Sequence, residues 1–248
     1  MDCGFHGLIC RSEWRILDFE TFTISGTRKH RAFFEIAVSG RKRAVSKIIP
    51  DPENAFRDFV PDRRPLLRVL EEEAAREHIP IVGPLVGELL YILARTAGTT
   101  RILELGTATG YSALFLGRAC LAAGGRVVTV EADRALAERA RENFRRDGLD
   151  RVIDVVVCDA LETLREMEGP FELVFIDIEK KDYARMLPDL ERLVPPGGLL
   201  IADNTAFPDA QDFNRKIYGR PGWRSVQLLA FLPEHSPERD GLCLALRE

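Results

Sequence analysis

Two hydrophobic patterns alternate along most of the chain. Nearly continuous apolar runs of five or six residues are followed by longer segments in which apolar residues recur every three or four positions. The first pattern is typical of strands that are buried on both faces of a parallel sheet, and the second of amphipathic helices that cover such a sheet. The apolar runs predict strands at 101–105, 126–130, 152–157, 172–176 and 198–202.

Two further strands are predicted after this alternating region, as an antiparallel pair at one edge of the sheet. They lie at 223–231 and 241–248. Helices are predicted at 65–78, 84–96, 111–122, 133–146, 160–167 and 180–193. The predicted fold class is therefore α/β, with a doubly wound, mostly parallel seven-stranded sheet, an antiparallel edge strand and helices on both faces.

The first 54 residues do not follow this pattern and are predicted to form an N-terminal extension to a single domain at 55–248. Two short strands, at 21–26 and 32–38, flank a basic stretch in the extension, and residues 50–54 (PDPEN) are predicted to be a turn-rich linker. Residues 1–50 carry a net charge of +4, whereas the whole chain carries −4. The two parts therefore differ in charge as well as in pattern.

Composition narrows the class of protein. Hydrophobic residues make up 46% of the chain and charged residues 30%, as in ordinary globular domains. No run of eighteen apolar residues predicts a transmembrane helix, and the N-terminus is a poor signal peptide, so a cytoplasmic protein without membrane partners is expected. The five cysteines include no CxxC pair and the four histidines are scattered, so neither a zinc site nor a histidine-based site is predicted.

Each of the five alternating strands has an acidic residue within two positions of its C-terminal end. These residues are Glu104, Glu131, Asp159, Asp177 and Asp203. Ligands of open α/β sheets bind beyond the carboxyl ends of the strands, so the acids are expected to lie along one rim and to favour cationic ligands. Each acid, taken alone, could also be the N-cap of the next helix. For Asp159 this interpretation is as good as the functional one.

The segment ILELGTATGYSA (102–113) joins the first alternating strand to a helix. Gly106 and Gly110 allow a sharp turn and a close approach to a ligand, and Ser112 lies in the first helical turn. A dinucleotide site would favour G-x-G-x-x-G, but Ala108 occupies the middle position and Glu104 places negative charge where a pyrophosphate would bind. An NAD-dependent oxidoreductase is thus disfavoured, and a tight turn without a ligand remains the structural alternative.

Three later segments also carry candidate chemistry. Glu131, in VEAD, is of the type that binds both hydroxyls of a ribose, while Asp133 is the better candidate for a helix cap. Ala160, in CDAL, could lie against an adenine. In FIDIEKKDY a buried strand ends at Asp177 and Lys180 follows three residues later, which indicates either a capped helix or a metal ligand beside a catalytic base.

The motifs ELGTATGYSA, VEAD, CDAL, FIDIEKKDY and ADN, in this order, resemble those of class I S-adenosylmethionine-dependent O-methyltransferases. The last two resemble more narrowly the metal-dependent branch that contains catechol and caffeoyl-CoA O-methyltransferases and their bacterial relatives. The resemblance covers residues 61–248 and implies a Rossmann-like fold and a homodimer. Glu179 stands where the plant enzymes usually have aspartate, and the chain lacks their tryptophan-containing run, which argues against caffeoyl-CoA as the substrate.

The resemblance implies a role for each matching residue. The cofactor S-adenosyl-L-methionine would be bound by Val82, Glu104, Gly106, Thr107, Ser112, Glu131, Ala160 and Asp177. A divalent metal ion, Mg²⁺ or another, would be held by Asp177, Asp203 and Asn204. Lys180 would be the catalytic lysine, with Asp177 beside it.

These residues predict methyl transfer to a hydroxyl of a small catechol-like aromatic. Two carboxylates and an amide oxygen suit Mg²⁺, which would lower the pKa of the hydroxyl, while Lys180 removes or stabilises its proton. One alternative is a tRNA hydroxyuridine O-methyltransferase, with the basic stretches 28–31 and 41–43 on the phosphates. Another is a non-catalytic cofactor-binding protein. Acceptor specificity is expected in the loops 205–212 and 232–240 and in the N-terminal region.

Overall fold

A computed structural model describes residues 48–248 of the chain. The chain divides into two units, Met1–Lys47 and Ile48–Glu248, and the structure described below is that of the second. The strands predicted at 21–26 and 32–38, and the basic stretches 28–31 and 41–43, lie outside the described residues.

The apolar runs form one seven-stranded sheet. Its strands are β1 (Arg101–Leu105), β2 (Arg126–Glu131), β3 (Ile153–Val157), β4 (Leu173–Ile176), β5 (Leu199–Ala202), β6 (Trp223–Phe231) and β7 (Arg239–Arg247). The order across the sheet is β3-β2-β1-β4-β5-β7-β6. Strands β1 to β5 are parallel, whereas β7 runs antiparallel to both of its neighbours. The predicted α/β fold class is confirmed, and β6 forms the outer edge.

Eight α-helices connect and cover these strands. They are α1 (Pro52–Arg57), α2 (Pro65–Glu77), α3 (Gly83–Ala97), α4 (Tyr111–Ala122), α5 (Arg134–Arg146), α6 (Ala160–Glu166), α7 (Tyr183–Leu193) and α8 (Gln211–Ile217), counted within residues 48–248. Short 3₁₀ turns at Lys180–Asp182 and Pro208–Ala210 precede α7 and α8. No helix in this part of the chain is long and apolar enough to cross a membrane.

The sheet separates two hydrophobic cores, because successive residues of a strand point to opposite faces. In β4, Leu173 and Phe175 belong to the core under α2 to α5, whereas Val174 and Ile176 belong to the core under α6 to α8. All four side chains of this strand are fully buried. Burial on both faces explains why the strands appear in the sequence as continuous apolar runs.

Two segments differ from the prediction. Residues 50–54, predicted as a linker, instead contribute to α1, where Asp51 accepts a hydrogen bond from the Asn54 amide at 3.1 Å and caps the helix. The predicted specificity loop at 205–212 is mostly ordered into the 3₁₀ turn and the start of α8. The irregular part of this connection is therefore short and stays close to the end of β5.

The order in which strands are added across the sheet reverses at β1. Its two neighbours are β2 on one side and β4 on the other, so the connections that leave β1 and β4 cover opposite faces of the sheet. A crevice opens beyond the carboxyl ends of strands at such a switch point. The predicted acidic rim lies at this crevice.

Candidate active site

The glycine loop between β1 and α4 fits tightly against the end of β4. Gly106 has φ +100°, and a Cβ at this position would lie 2.0 Å from the carbonyl oxygen of Asp177. Its amide donates to the Val130 carbonyl at 2.9 Å. Gly110 has φ +91° and faces the Phe144 ring, which a Cβ would approach to 2.5 Å. Both glycines are therefore required by backbone conformation and by close contact.

Glu131 ties this loop to the end of β2. One carboxylate oxygen accepts the amides of Thr107 and Ala108 at 3.2 and 2.8 Å, and the other accepts the Asp133 amide at 2.9 Å. Asp133 in turn caps α5 by accepting the Ala135 and Leu136 amides. Glu131 thus has a fixed position, with the glycine loop held beside it.

A cavity of about 440 Å³ lies at the carboxyl ends of β1, β2 and β4. Of the residues predicted to bind the cofactor, those on its wall are Val82, Gly106, Thr107, Ser112, Glu131, Ala160 and Asp177. Lys180 also lines the cavity, whereas Asp203 and Asn204 do not. The structure therefore brings together segments that are spread over about one hundred residues of sequence.

Glu104 is the predicted cofactor residue that lies behind this wall. It is fully buried, and its Oε2 accepts a hydrogen bond from the Thr129 hydroxyl at 2.5 Å. Its Oε1 has no partner among the described residues. Burial raises the pKa of Glu104 to about 7, against the opposing effect of the Ser112 and Thr129 hydroxyls. A buried carboxyl without a cationic partner, next to a cavity, fits a ligand that carries an ammonium group.

Asp177 and Asp203 end two neighbouring strands. Ile176 of β4 pairs with Ala202 of β5, so the next residue of each strand is an aspartate. The backbone continues this pairing, since the Asp203 amide donates to the Ile176 carbonyl at 3.0 Å. The register therefore places the two carboxylates side by side at the rim.

Asp203 and Asn204 are buried and held by hydrogen bonds. The Asp203 side chain is 1% exposed; its Oδ1 accepts the Asn204 amide at 2.8 Å and its Oδ2 lies 2.8 Å from His235 Nε2. The Asn204 side-chain Nδ2 donates to Asp240 at 2.6 Å, which leaves the amide oxygen as the atom available to a ligand. Asn204 has φ +52°, a conformation that asparagine tolerates better than most residues.

Asp177 does not cap the following helical turn, so the capping interpretation is wrong for this residue. The turn begins after Glu179 and has no side-chain cap, whereas Asp159 does cap α6 by accepting the Glu162 amide. Lys180 Nζ instead lies 3.3 Å from Asp177 Oδ1. Burial and the charge of Asp203 raise the pKa of Asp177 to about 6, although Lys180 opposes this. Two adjacent carboxylates at one rim can bind a further cation.

His235 is the residue at this site that the sequence did not predict. It lies in the β6–β7 loop. Burial lowers its pKa, but the hydrogen bond and charge of Asp203, together with the Pro237 carbonyl and the charge of Asp240, raise the pKa above its ordinary value. Within residues 48–248, no three His, Cys, Asp or Glu side chains converge as a metal site. A metal at this rim would therefore depend on two carboxylates and the Asn204 amide oxygen, a hard oxygen donor set that fits Mg²⁺.

Comparison with known proteins gives a family match. The family model described as O-methyltransferase matches residues 59–210. A catechol O-methyltransferase of Niastella koreensis is 37% identical over 127 residues, which is 50% of this chain and 57% of that protein. A catechol O-methyltransferase of Mycobacterium tuberculosis is 40% identical over 119 residues, covering 48% and 54%. The chain thus spans about half the length of these curated relatives.

Solved structures extend the similarity over more of the described domain. An O-methyltransferase from Bacillus cereus, in complex with SAH, has a TM-score of 0.70 and 28% identity over 79% of this chain and 97% of that chain. The O-methyltransferase TomG from Streptomyces achromogenes, in complex with SAM, has a TM-score of 0.70 and 26% identity over 79% and 96%.

Proposed function

The chain belongs to the O-methyltransferase family, and on that premise we propose that it transfers a methyl group from S-adenosyl-L-methionine to one hydroxyl of a small catechol-like aromatic, assisted by a divalent metal ion. The resemblance identified from the motifs is confirmed at the level of the family. The observation that carries the finer proposal is the pairing of β4 with β5, which sets Asp177 and Asp203 side by side with Lys180 at 3.3 Å.

The cavity wall supports the choice of cofactor. Glu131 faces the cavity beside the glycine loop and keeps one acceptor position, on Oε1, for a ribose hydroxyl, while Ala160 leaves room for a flat base. Glu104, buried and short of a cationic partner, suits the ammonium of the methionine part. The cofactor supplies the methyl group as an electrophile. The related O-methyltransferases from Bacillus cereus and Streptomyces achromogenes were solved with SAH and SAM, respectively.

The proposed metal would be held by the acidic rim. Asp177, Asp203 and the Asn204 amide oxygen supply its protein ligands, and when bound the metal lowers the pKa of an acceptor hydroxyl. Lys180 lies beside Asp177 on the cavity wall and, in its neutral amine form, would take up the hydroxyl proton. The rigid ends of β4 and β5 align these groups, and alignment is the main contribution of the protein to such a transfer.

The acceptor class rests on the relatives and on the surroundings of Lys180. Two of the similar proteins are named catechol O-methyltransferases, and a catechol is an aromatic ring with two adjacent hydroxyls. The exposed ring of Phe207 has its centroid 6.0 Å from Lys180 Nζ, so an aromatic surface borders the site of proton transfer. A flat aromatic acceptor with two adjacent hydroxyls fits this combination.

The deciding experiment measures SAH formation from a simple catechol acid with Mg²⁺ and then with a chelator. Turnover that stops on chelation and returns with excess Mg²⁺ is the expected result. Turnover that survives chelation would overturn the metal part and leave Lys180 as the base. Absence of turnover in both conditions would contradict the catechol acceptor.

A hydroxylated tRNA uridine is the other acceptor class, and the basic stretches that suggested it lie outside the described residues. The same assay with bulk tRNA that is hydroxylated but not yet methylated separates the two acceptors. We further propose a homodimer, as the resemblance implies, which light scattering of the purified protein measures directly.

A further inference from the structure

We propose that His235 is a positioning residue that fixes Asp203 in the orientation required to bind the divalent metal. This inference rests on the metal-assisted function proposed above. His235 does not touch the acceptor or the cofactor in this proposal; it acts through the Asp203 carboxylate.

The contact between the two residues is buried and direct. Each side chain is 1% exposed, and His235 Nε2 lies 2.8 Å from Asp203 Oδ2. On the other side of the ring, Nδ1 lies 2.7 Å from the Pro237 carbonyl oxygen. The Pro237 carbonyl and the Asp203 carboxylate can only accept, so each ring nitrogen carries a hydrogen and the imidazolium ring donates at both ends.

The loop that carries His235 is itself held in place. The His235 amide donates to the Leu232 carbonyl at 3.0 Å, and the Leu232 amide donates to the Glu238 carbonyl at 2.6 Å. At the start of α3, Gly83 packs against this turn so closely that a Cβ would lie 2.9 Å from the His235 nitrogen. The imidazole is therefore placed by backbone contacts on both sides of it.

Asp203 needs this support because its own strand fixes only one of its oxygens. Oδ1 accepts the Asn204 amide, but Oδ2 depends on His235 among the described residues. Each carboxylate oxygen has two acceptor positions, so both retain one for a metal. Without His235, Oδ2 would be buried without a donor, and the carboxylate would rotate away from the arrangement that it shares with Asp177.

The consequence is a loss of metal affinity. Mg²⁺ requires near-octahedral geometry, and groups that orient a metal ligand typically contribute about 10- to 100-fold to metal affinity. Cofactor affinity is expected to stay unchanged, because neither His235 nor Asp203 lines the cavity that holds the predicted cofactor residues. A merely structural role for His235 would weaken both affinities together.

The test measures the affinity of the purified protein for Mn²⁺ alone, from the electron paramagnetic resonance signal of the free ion. In parallel, calorimetry gives the affinity for SAH. His235→Leu is expected to raise the Kd for Mn²⁺ by about 10- to 100-fold while leaving the Kd for SAH unchanged. His235→Gln, which retains a donor, is expected to lose less. Turnover by His235→Leu should recover at saturating Mn²⁺, since only binding is impaired.

Two control variants give the results expected for complete loss of Mn²⁺ binding and for no loss. Asp203→Ala removes a proposed ligand and should abolish Mn²⁺ binding, whereas His78→Gln removes an exposed histidine elsewhere and should have no effect. Unchanged Mn²⁺ affinity in His235→Leu, with Asp203→Ala still defective, overturns the positioning role and leaves the proposed function intact. Failure of the wild-type protein to bind Mn²⁺ overturns the metal-assisted function and this inference with it.

Discussion

At the scale of single residues, Lys180 and Lys181 offer a matched pair. Lys180 lines the cavity beside Asp177, whereas Lys181 is exposed and does not line it. Lys180→Met is expected to lower kcat by about 10²- to 10⁴-fold, the usual contribution of a positioned general base. The measurement is SAH formation at saturating cofactor, with the Kd for SAH as a check on folding. Comparable losses in Lys181→Met would contradict the role of Lys180.

Glu104 is expected to make stability depend on pH. Its pKa is raised to about 7 when folded, from an ordinary value of 4.5, so the folded state holds this proton more tightly than the unfolded state does. The resulting stabilisation is complete below pH 4.5 and is lost as pH rises through 7. Glu104→Gln should therefore gain stability relative to wild type between pH 5 and pH 8, by up to about 3 kcal/mol.

Urea unfolding of both proteins at the two pH values measures this difference, and the other titrating groups cancel in the comparison. A mutational effect that is the same at pH 5 and pH 8 would show that Glu104 is not protonated in the folded protein.

Gly106 and Gly124 separate backbone strain from steric clash. Both have positive φ, +100° and +73°, but a Cβ at Gly106 meets the Asp177 carbonyl at 2.0 Å whereas nothing lies within 4 Å of a Cβ at Gly124. Gly124→Ala should cost about 1 kcal/mol from strain alone. Gly106→Ala should cost at least about 2 kcal/mol more, because the end of β4 must move. Equal losses in chemical denaturation would mean that the contact with Asp177 relaxes freely.

The sequence predicted that acids gather at the rim and favoured Asp133 as a helix cap, but it left the role of Asp159 open. Asp133, Asp159 and Asp177 all follow strands, yet the first two are helix caps and the third is paired with Lys180. Only the motif context, not the residue type, distinguishes them in advance. His235 was missed because its partner Asp203 is 32 residues earlier and no local pattern marks a loop residue that folds back onto a strand end.

At the scale of elements, ion pairs connect the N-terminal part of the described domain to the β6–β7 loop. Arg57 of α1 binds Glu238 through two contacts at 2.7 and 2.5 Å, and Arg63 binds Glu234 at 2.6 Å. Arg57 lowers the pKa of Glu238 to about 2, so the pair should persist in mild acid and be lost only as pH falls towards that value. The loop held in this way carries His235.

Arg57→Gln is expected to accelerate amide hydrogen exchange in residues 232–240. The change in overall stability should stay below about 1 kcal/mol, since exposed ion pairs contribute little to unfolding free energy. Raising NaCl should produce a similar acceleration in the wild-type protein. Arg224→Gln is the matched control, because it removes a pair with Glu248 outside this loop. Unchanged exchange in Arg57→Gln would mean that the loop is held by its backbone contacts alone.

The number of apolar positions decided which elements could be predicted. The strands and most helices present enough of them for a period to be visible. Their bounds agree with prediction within about two residues, except that α7 begins at Tyr183, three residues after the predicted start at 180. Helix α1 has no buried residue, and α8 buries only Phe213 and Ile217 among charged and polar neighbours. Two buried positions over seven residues define no period, so these helices become evident only from their tertiary contacts.

At the scale of the whole molecule, Ile48–Glu248 is one compact unit with cores on both faces of a complete seven-stranded sheet. About 200 residues are sufficient to bury a stable core. A protein comprising residues 48–248 is therefore expected to show a far-UV spectrum of mixed helix and strand, to unfold in one cooperative transition and to bind SAH. Gradual, non-cooperative melting would show that residues 1–47 complete the fold.

The position of β7 has a consequence during synthesis on the ribosome. β7 is translated after β6, yet it lies between β6 and β5 in the sheet. A nascent chain that ends within β6 therefore carries Asp203 at the tip of a strand whose outer edge is still unpaired, and open edges are where growing chains pair wrongly. His235 and Asp240, which hold Asp203 and Asn204, emerge in the loop just before β7 and within it. The sheet therefore closes and the acidic rim assembles in the same step, late in synthesis.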